Sequence, residues 1–231
     1  RKEFLEELGL DPEKPVIAVL PGSRRQEVKA HMPILLGAMK ELIEKRPDLE
    51  FQFIVSRSTE KVQGLIDEFL AKSSLASYMQ AENTKDGKSK KRIATVTLNP
   101  NYALYKNSDL IWAKSGTTTL EITLYGRPMI IFFKANFFSY LLFLLFKTVK
   151  NVGWPNLLSG KTLVPELIQL DCRQDQFVKY TLDLFEVPGL RREVEAELLS
   201  LKELLGQGDY VDNCTEELLK LTKASGYLAQ S

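Results

Sequence analysis

The chain has 231 residues, of which 44% are hydrophobic and 26% charged, so it is long enough to bury the core of one large domain. Its 31 lysine and arginine residues nearly balance 30 aspartate and glutamate residues, and a net charge of +1 excludes a general electrostatic attraction to nucleic acid. Any anion site must therefore be local.

Cysteine and histidine are scarce, which argues against a structural metal or a disulfide framework. Cys172 and Cys214 lie far apart and form no Cys-x-x-Cys pair, and His31 is the single histidine. We expect no metal, no cofactor and a reducing, cytoplasmic setting. The chain begins with Arg1 instead of methionine, so we expect it to be part of a longer protein.

The first part of the chain alternates strands with helices. A helix over residues 1–9 ends at Gly9, and a turn leads to the apolar run Val16–Leu20, which is typical of a buried parallel strand. A loop over residues 21–27 follows. Apolar spacing then predicts a helix at 32–44, a strand at 51–55 and a helix at 60–72.

The alternation continues after a polar, locally basic segment at residues 82–92, which we interpret as a solvated loop or insertion. Three more apolar runs predict strands, and a short helix lies between the first two. The strands are at 93–97, 110–112 and 128–133, and the helix is at 102–106. This order predicts the α/β class: a Rossmann-like parallel sheet with right-handed crossovers and helices on both faces.

Residues 113–121, AKSGTTTLE, join a predicted strand to a predicted helix at 120–125. Small and hydroxylated residues at a helix start leave backbone N–H groups accessible, and the helix dipole favours a phosphate there. Glu121 lies about one turn further on, where a carboxylate can bind a ribose diol. The same residues also fit a plain helix cap. The candidate phosphate contacts are Ser115, Gly116, Thr117 and Thr118.

The loop at 21–27 is the second candidate, because ligands bind beyond the carboxyl ends of parallel strands. Arg24 follows Gly22 and Ser23, and its guanidinium can make a paired contact with a diphosphate; a plain surface arginine is the alternative. Glu27 can pair with Arg24 or cap the next helix. No GxGxxG, P-loop or Asp-x-Asp pattern occurs. We expect both loops to face one ligand and His31 to be structural.

Residues 136–146 are apolar on nearly every face, so a single core contact would leave aromatic rings in water. The segment is too short to span a bilayer. A buried helix, a subunit interface in a homodimer, and an interfacial helix in contact with lipid all stay open. The candidate membrane or interface residues are Phe137, Phe138, Tyr140, Leu141, Phe143, Leu144 and Phe146.

The pattern in the last part of the chain predicts a loop followed by helices whose role is packing. Asn156 follows a proline in a predicted loop at 153–160 and has no obvious structural demand, so we expect a polar contact with a ligand. Helices are predicted at 174–185, 189–205 and 212–223. We expect a domain over residues 1–185 and a helical extension over 186–231 that packs on it or on another half of the protein.

Five blocks of sequence together resemble lipid-A-disaccharide synthase. Their order and spacing match that family, and the pattern PNLxxG followed by PELxQ is not general among sugar-nucleotide enzymes. The blocks are residues 20–24 with Glu27, 115–121, 128–129, 155–160 and 165–169.

The resemblance implies one half of a GT-B glycosyltransferase, the C-terminal half that binds the donor. Enzymes of that family transfer 2,3-diacylglucosamine from UDP to the lipid monosaccharide 2,3-diacylglucosamine 1-phosphate, with inversion and release of UDP. The resemblance further implies that Arg24 and Asn156 stabilise the leaving group, that residues 115–118 contact phosphate and that Glu121 holds the ribose. It places the acceptor site and general base in an N-terminal half, so we expect this chain alone to be inactive.

Two other functions stay open. Another UDP-N-acetylglucosamine enzyme of the GT-B type, an epimerase or a murein glycosyltransferase, would share the two loops but would not need the aromatic segment. A noncatalytic peripheral-membrane module would depend on that segment instead. For the leading hypothesis, a lipid-A-disaccharide synthase, we expect a location in the cytoplasm at the inner face of the cytoplasmic membrane, and no nucleic-acid partner.

Overall fold

The structure is a computed structural model that describes residues 1–80, 82–83, 89–97, 101–134, 151–204 and 220. Its strands are β1 Val16–Leu20, β2 Gln52–Ser56, β3 Glu82–Asn83, β4 Ser89–Lys90, β5 Ile93–Val96, β6 Leu110–Lys114, β7 Met129–Phe133 and β8 Glu166–Ile168. Its α-helices are α1 Lys2–Glu7, α2 Arg25–Lys45, α3 Glu60–Lys72, α4 Tyr102–Asn107, α5 Thr118–Leu124, α6 Trp154–Ser159, α7 Gln174–Glu186 and α8 Leu190–Leu204.

The main sheet has the strand order β5-β2-β1-β6-β7-β8, and every neighbouring pair is parallel. This is the order of a Rossmann fold, in which the chain first winds outward on one side of β1 and then returns to the other side. Ile17 accordingly pairs with Phe53 on one side and Leu110 on the other. The predicted α/β class is confirmed, and the winding reverses between β1 and β6.

Helices cover both faces of the sheet, as predicted. Along β1, Ile17 and Val19 belong to one buried cluster with residues of α2, α3 and α7. Val16, Ala18 and Leu20 belong to a second cluster, with residues of α1, α4 and α8. Because neighbouring side chains of a strand point to opposite faces, an uninterrupted apolar strand fits this two-sided burial.

The start of one helix and the assignment of one loop were wrong, and one strand was not predicted. Helix α2 begins at Arg25 instead of residue 32, because its first turn is mostly polar, with Val28 as its one apolar residue, and so lacks the apolar spacing used for the prediction. The predicted loop at 153–160 contains helix α6, whose first turn tolerates Pro155 and which ends at Gly160 with φ +68°. Strand β8, three residues long, is too short to show a period in the sequence.

Several predictions fall outside the described residues. They include the aromatic segment with Phe137 and Phe143, the helix predicted at 212–223, and Cys214. Within the described ranges, no helix is long and apolar enough to cross a membrane. Helix α8 packs on this domain through Leu198 and Leu201, which are buried, while the domain boundary at residue 185 stays a prediction.

Candidate functional site

A crevice lies at the carboxyl ends of β1 and β6, where the winding of the sheet reverses. It encloses a cavity of about 150 Å³. Both predicted loops reach it, although they are some ninety positions apart in the chain. The predicted residues that line the cavity are Gly22, Ser23, Ser115, Gly116, Thr117 and Thr118. In a Rossmann-like sheet this is the position at which ligands bind.

The first loop turns tightly at Gly22, which has φ +121°. A Cβ atom there would lie 2.7 Å from Oε2 of Glu27, closer than a real contact allows. The position therefore requires glycine for its backbone conformation and for the close approach of the carboxylate.

Glu27 organises this loop through its carboxylate. Its Oε2 atom accepts hydrogen bonds from the backbone N–H groups of Ser23 and Arg24, both at 3.2 Å. Its Oε1 atom lies 3.1 Å from Nζ of Lys114 and 3.6 Å from the guanidinium of Arg24. Both predicted alternatives therefore occur together: Glu27 caps α2 and pairs with Arg24.

The charge on Glu27 is maintained despite partial burial. Desolvation raises its pKa, but the hydrogen bond and charge of Lys114 and the two backbone N–H groups together outweigh that effect, so the net pKa lies below its ordinary value. The carboxylate is thus a fixed negative charge beside the crevice.

Arg24 itself stands outside the cavity wall. Its side chain is 82% exposed, so the 3.6 Å ion pair with Glu27 contributes little to stability. The Oε1 atom of Glu27 that Arg24 approaches also contacts the cavity residue Lys114, so the guanidinium is near the crevice and accessible to a ligand. Its contact with a diphosphate stays a prediction.

The second loop presents hydroxyl and backbone groups unevenly. The N–H of Ser115 donates to the carbonyl of Phe132 at 2.8 Å, so this N–H is used by the sheet and is not uncovered as the sequence suggested. Thr119 donates to the carbonyl of Gly116 through both its N–H and its hydroxyl. Gly116 and Thr117 are exposed at the start of α5. A phosphate contact at residues 115–118 therefore stays a prediction, and Ser115 could offer only its hydroxyl.

Glu121 is half-buried on α5 and is oriented by a tyrosine. The hydroxyl of Tyr105 donates to Oε2 of Glu121 at 3.0 Å. Burial, and then the charge of Glu121, raise the pKa of Tyr105, so the phenol remains a donor. One such bond leaves acceptor capacity on the carboxylate, as a diol would require.

Asn156 is fully buried, and the premise that it has no structural demand was wrong. Its amide nitrogen donates to the carbonyl of Val164 and to Oε1 of Glu166, each at 2.8 Å. Its Oδ1 atom accepts from the N–H groups of Leu163 and Val164 at 2.7 and 2.9 Å. A ligand contact by Asn156 stays a prediction, and it would require some of these bonds to be exchanged.

His31 is structural, as expected, and has two partners that the sequence did not reveal. Its Nδ1 atom lies 2.7 Å from the carbonyl of Pro21, and its Nε2 accepts from the N–H of Lys134 at 3.1 Å. Both contacts fit a neutral ring that carries its proton on Nδ1. Desolvation lowers the pKa of His31, so the ring ties the first loop to the end of β7 without a charge.

The described residues contain no group of three or more His, Cys, Asp or Glu side chains that could hold a metal ion. Cys172 is buried, and burial raises its pKa to about 11, which keeps it as an unreactive thiol.

Residues 1–187 match the lipid-A-disaccharide synthetase family. The chain belongs to this family. It is 33% identical over 218 residues to a lipid-A-disaccharide synthase of Geobacter sulfurreducens, covering 94% of this chain and 51% of that protein. It is 26% identical over 227 residues to that of Persephonella marina, covering 96% and 54%. The chain thus spans about half the length of the curated relatives it matches.

Solved structures support the fold of this family member. A UDP-GlcNAc 2-epimerase from Neisseria meningitidis, bound to UDP-GlcNAc, superposes with a TM-score of 0.55 at 14% identity, covering 95% of this chain and 49% of that one. A UDP-N-acetylglucosamine 2-epimerase structure from Listeria monocytogenes gives 0.52 at 15%, covering 84% and 40%. At these identities the likeness shows the fold alone.

Four cavity residues of the family member were not singled out from the sequence: Ser56, Ser58, Asn101 and Lys114. The hydroxyl of Ser58 donates to the carbonyl of Gly22 at 3.2 Å, and that of Ser56 to Oδ1 of Asn101 at 3.1 Å. A signal was available, because Ser56 and Lys114 are the last residues of β2 and β6. Polar residues at the carboxyl ends of apolar parallel strands are candidates by topology alone.

Proposed function

We propose that this chain binds the UDP-sugar donor of a lipid-A-disaccharide synthase, UDP-2,3-diacylglucosamine. One observation carries the proposal: two loops that separately match the family's blocks line one cavity at the reversal point of the sheet. The family match over residues 1–187 supports the choice of this donor over those of other UDP-sugar enzymes.

In this proposal both loops contact the diphosphate, and the helix that follows the second loop holds the ribose. The diphosphate lies in the crevice beside Arg24 and residues 115–118, and the ribose diol is held by Glu121. During transfer the bond between the anomeric carbon and the diphosphate oxygen breaks, and its electron pair stays on the departing UDP. The positive guanidinium and the fixed dipoles of the loops stabilise the charge that develops there.

The remaining chemistry is assigned to parts of the protein beyond this chain. The acceptor, 2,3-diacylglucosamine 1-phosphate, attacks through its hydroxyl from the opposite face, which inverts the anomeric centre. The proton of that hydroxyl passes to a base that we place, with the acceptor site, in an N-terminal half. The half-length coverage of the relatives supports this division.

The test of the nucleotide site is calorimetric titration of UDP into the wild type, Arg24→Ala and Glu121→Ala. Arg25→Ala is the matched control, because it removes the same charge one position away on the exposed start of α2. Loss of a charge-assisted hydrogen bond predicts about tenfold weaker binding for Arg24→Ala. Uniform affinity across wild type and all variants would overturn the assigned roles.

We also propose that the family member works at the inner face of the cytoplasmic membrane through its aromatic segment. The apolar character of residues 136–146, with lysines on both sides of the segment, supports this. The wild type should float with liposomes in a density gradient, and the variant with Phe137 and Phe143 changed to serine should not. The UDP affinity of the variant should stay at the wild-type value. Equal flotation of wild type and variant would refute the contact.

A further inference from the structure

Lys114 is the one charged residue of β6, whose other four residues are apolar and fully buried. It ends the strand, and its side chain is 22% exposed at the cavity wall. Its Nζ atom lies 3.1 Å from Glu27 and 5.3 Å from the centroid of the Phe133 ring. The ammonium therefore lies in the cavity wall, at the carboxyl end of β6.

The same ammonium adjoins the second loop. A Cβ atom built on Gly116 would lie 3.9 Å from Nζ of Lys114, so no side chain separates the ammonium from that backbone. Glu27 connects it to the first loop through the N–H groups of Ser23 and Arg24. Lys114 lines the cavity and is 22% exposed, whereas Arg24, on the other side of the Glu27 carboxylate contact, is 82% exposed.

Stability alone does not require an ion pair between Lys114 and Glu27 at this position. Replacing a largely buried ion pair by apolar side chains is often neutral or stabilising, because the cost of desolvating two charges offsets their attraction. An apolar residue would also continue the pattern of β6. The ion pair leaves an excess of positive charge, since one carboxylate, Glu27, faces the two cations Arg24 and Lys114.

We propose that Lys114 is a second cation for the diphosphate of the bound nucleotide and that it shares its ammonium between Glu27 and a phosphate oxygen. The inference rests on the proposed UDP site and adds a residue to it. An ammonium carries three N–H donors, so it can keep Glu27 while it binds an anion. Glu27 then acts as a positioning residue, which holds Lys114 and the first loop in one arrangement.

The experiment titrates UDP and uridine into the 231-residue chain and its variants by calorimetry. Lys114→Met should weaken UDP binding by about tenfold, the effect of one charge-assisted hydrogen bond, and leave uridine binding unchanged. Lys114→Arg should retain most of the UDP affinity. Lys40→Met, which removes the same charge from an exposed site on α2, should match the wild type.

A second pair of variants covers the case in which Lys114→Met disturbs folding by leaving Glu27 underpaired. Glu27→Gln and the double variant Glu27→Gln/Lys114→Met both lack the carboxylate, so they differ only in the presence of the ammonium. The double variant should bind UDP more weakly than Glu27→Gln.

Three results would overturn the inference. If Lys114→Met bound UDP with wild-type affinity, the phosphate contact of Lys114 would be refuted, while the proposed UDP site would stand. If Lys114→Met lost affinity for uridine and for UDP by the same factor, Lys114 would have a purely structural role. A wild type that binds no UDP would overturn the proposed function and this inference together.

Discussion

Replacing Asn156 with alanine tests whether this residue, which lies in one of the five sequence blocks shared with the family, stabilises the fold or contacts a ligand. The amide is fully buried and takes part in four hydrogen bonds, two as donor and two as acceptor. Glu166 would keep its bonds from the N–H groups of Val152 and Gly153. The carbonyl and the N–H of Val164 would lose the partner that the amide provides, while the N–H of Leu163 would keep its second acceptor, the carbonyl of Lys161 at 3.1 Å.

The expected destabilisation follows from that count. A buried polar group without a partner costs roughly 1–3 kcal/mol, and partial relaxation or entry of water reduces the sum over several groups. We expect Asn156→Ala to lower the free energy of unfolding by about 3–5 kcal/mol. Asn107→Ala is the matched control, because its buried amide makes one bond, to the carbonyl of Ala103 at 2.7 Å, and should cost about 1 kcal/mol.

The assay is urea denaturation followed by circular dichroism, with UDP affinity measured on the fraction that remains folded. The structural role predicts a large loss of stability and near-normal UDP affinity in folded Asn156→Ala. If Asn156→Ala and Asn107→Ala were equally stable, the hydrogen-bond argument would be refuted. Weaker UDP binding at unchanged stability would instead support the ligand contact implied by the resemblance.

Three further predictions concern the crevice. Gly22→Ala should destabilise the chain by about 2 kcal/mol, because an L residue at this positive φ is strained, whereas Gly64→Ala, in a helix with nothing within 4 Å of the new Cβ, should be neutral or stabilising; equal unfolding midpoints would contradict this. His31, the single histidine, should give one imidazole signal in NMR, and the chemical shift of that signal should remain that of a neutral ring as the pH falls through the ordinary histidine pKa of about 6.5. Because its pKa is lowered in the folded state, its contribution to stability is present above the unfolded value and is lost at lower pH; a midpoint at or above the ordinary value would refute this. Tyr105→Phe keeps the ring but removes the bond to Glu121, so uridine affinity should fall a few-fold while Tyr78→Phe, on the other side of the sheet, leaves it unchanged; equal affinities would show that Tyr105 does not orient the ribose site.

Most of the fold could be predicted from local patterns. Val16–Leu20 and Glu60–Lys72 were predicted with the bounds they have in the structure, because an apolar run and a helical apolar period are properties of neighbouring residues. The early start of α2 and the short strand β8 were missed for the same reason, since their residues carry no apolar period. Their conformations depend on a cap and on pairing with β7.

The candidate site divides in the same way. Local sequence was enough to show which loops follow strands, which small residues they carry and that five blocks match one family. Tertiary structure alone decided that Lys114 pairs with Glu27, that Tyr105 orients Glu121 and that the Asn156 amide is used within the protein. Local sequence sets the conformation of a segment, but the partner of a polar group depends on which distant segments the sheet brings together and on the burial that makes an unpaired group costly.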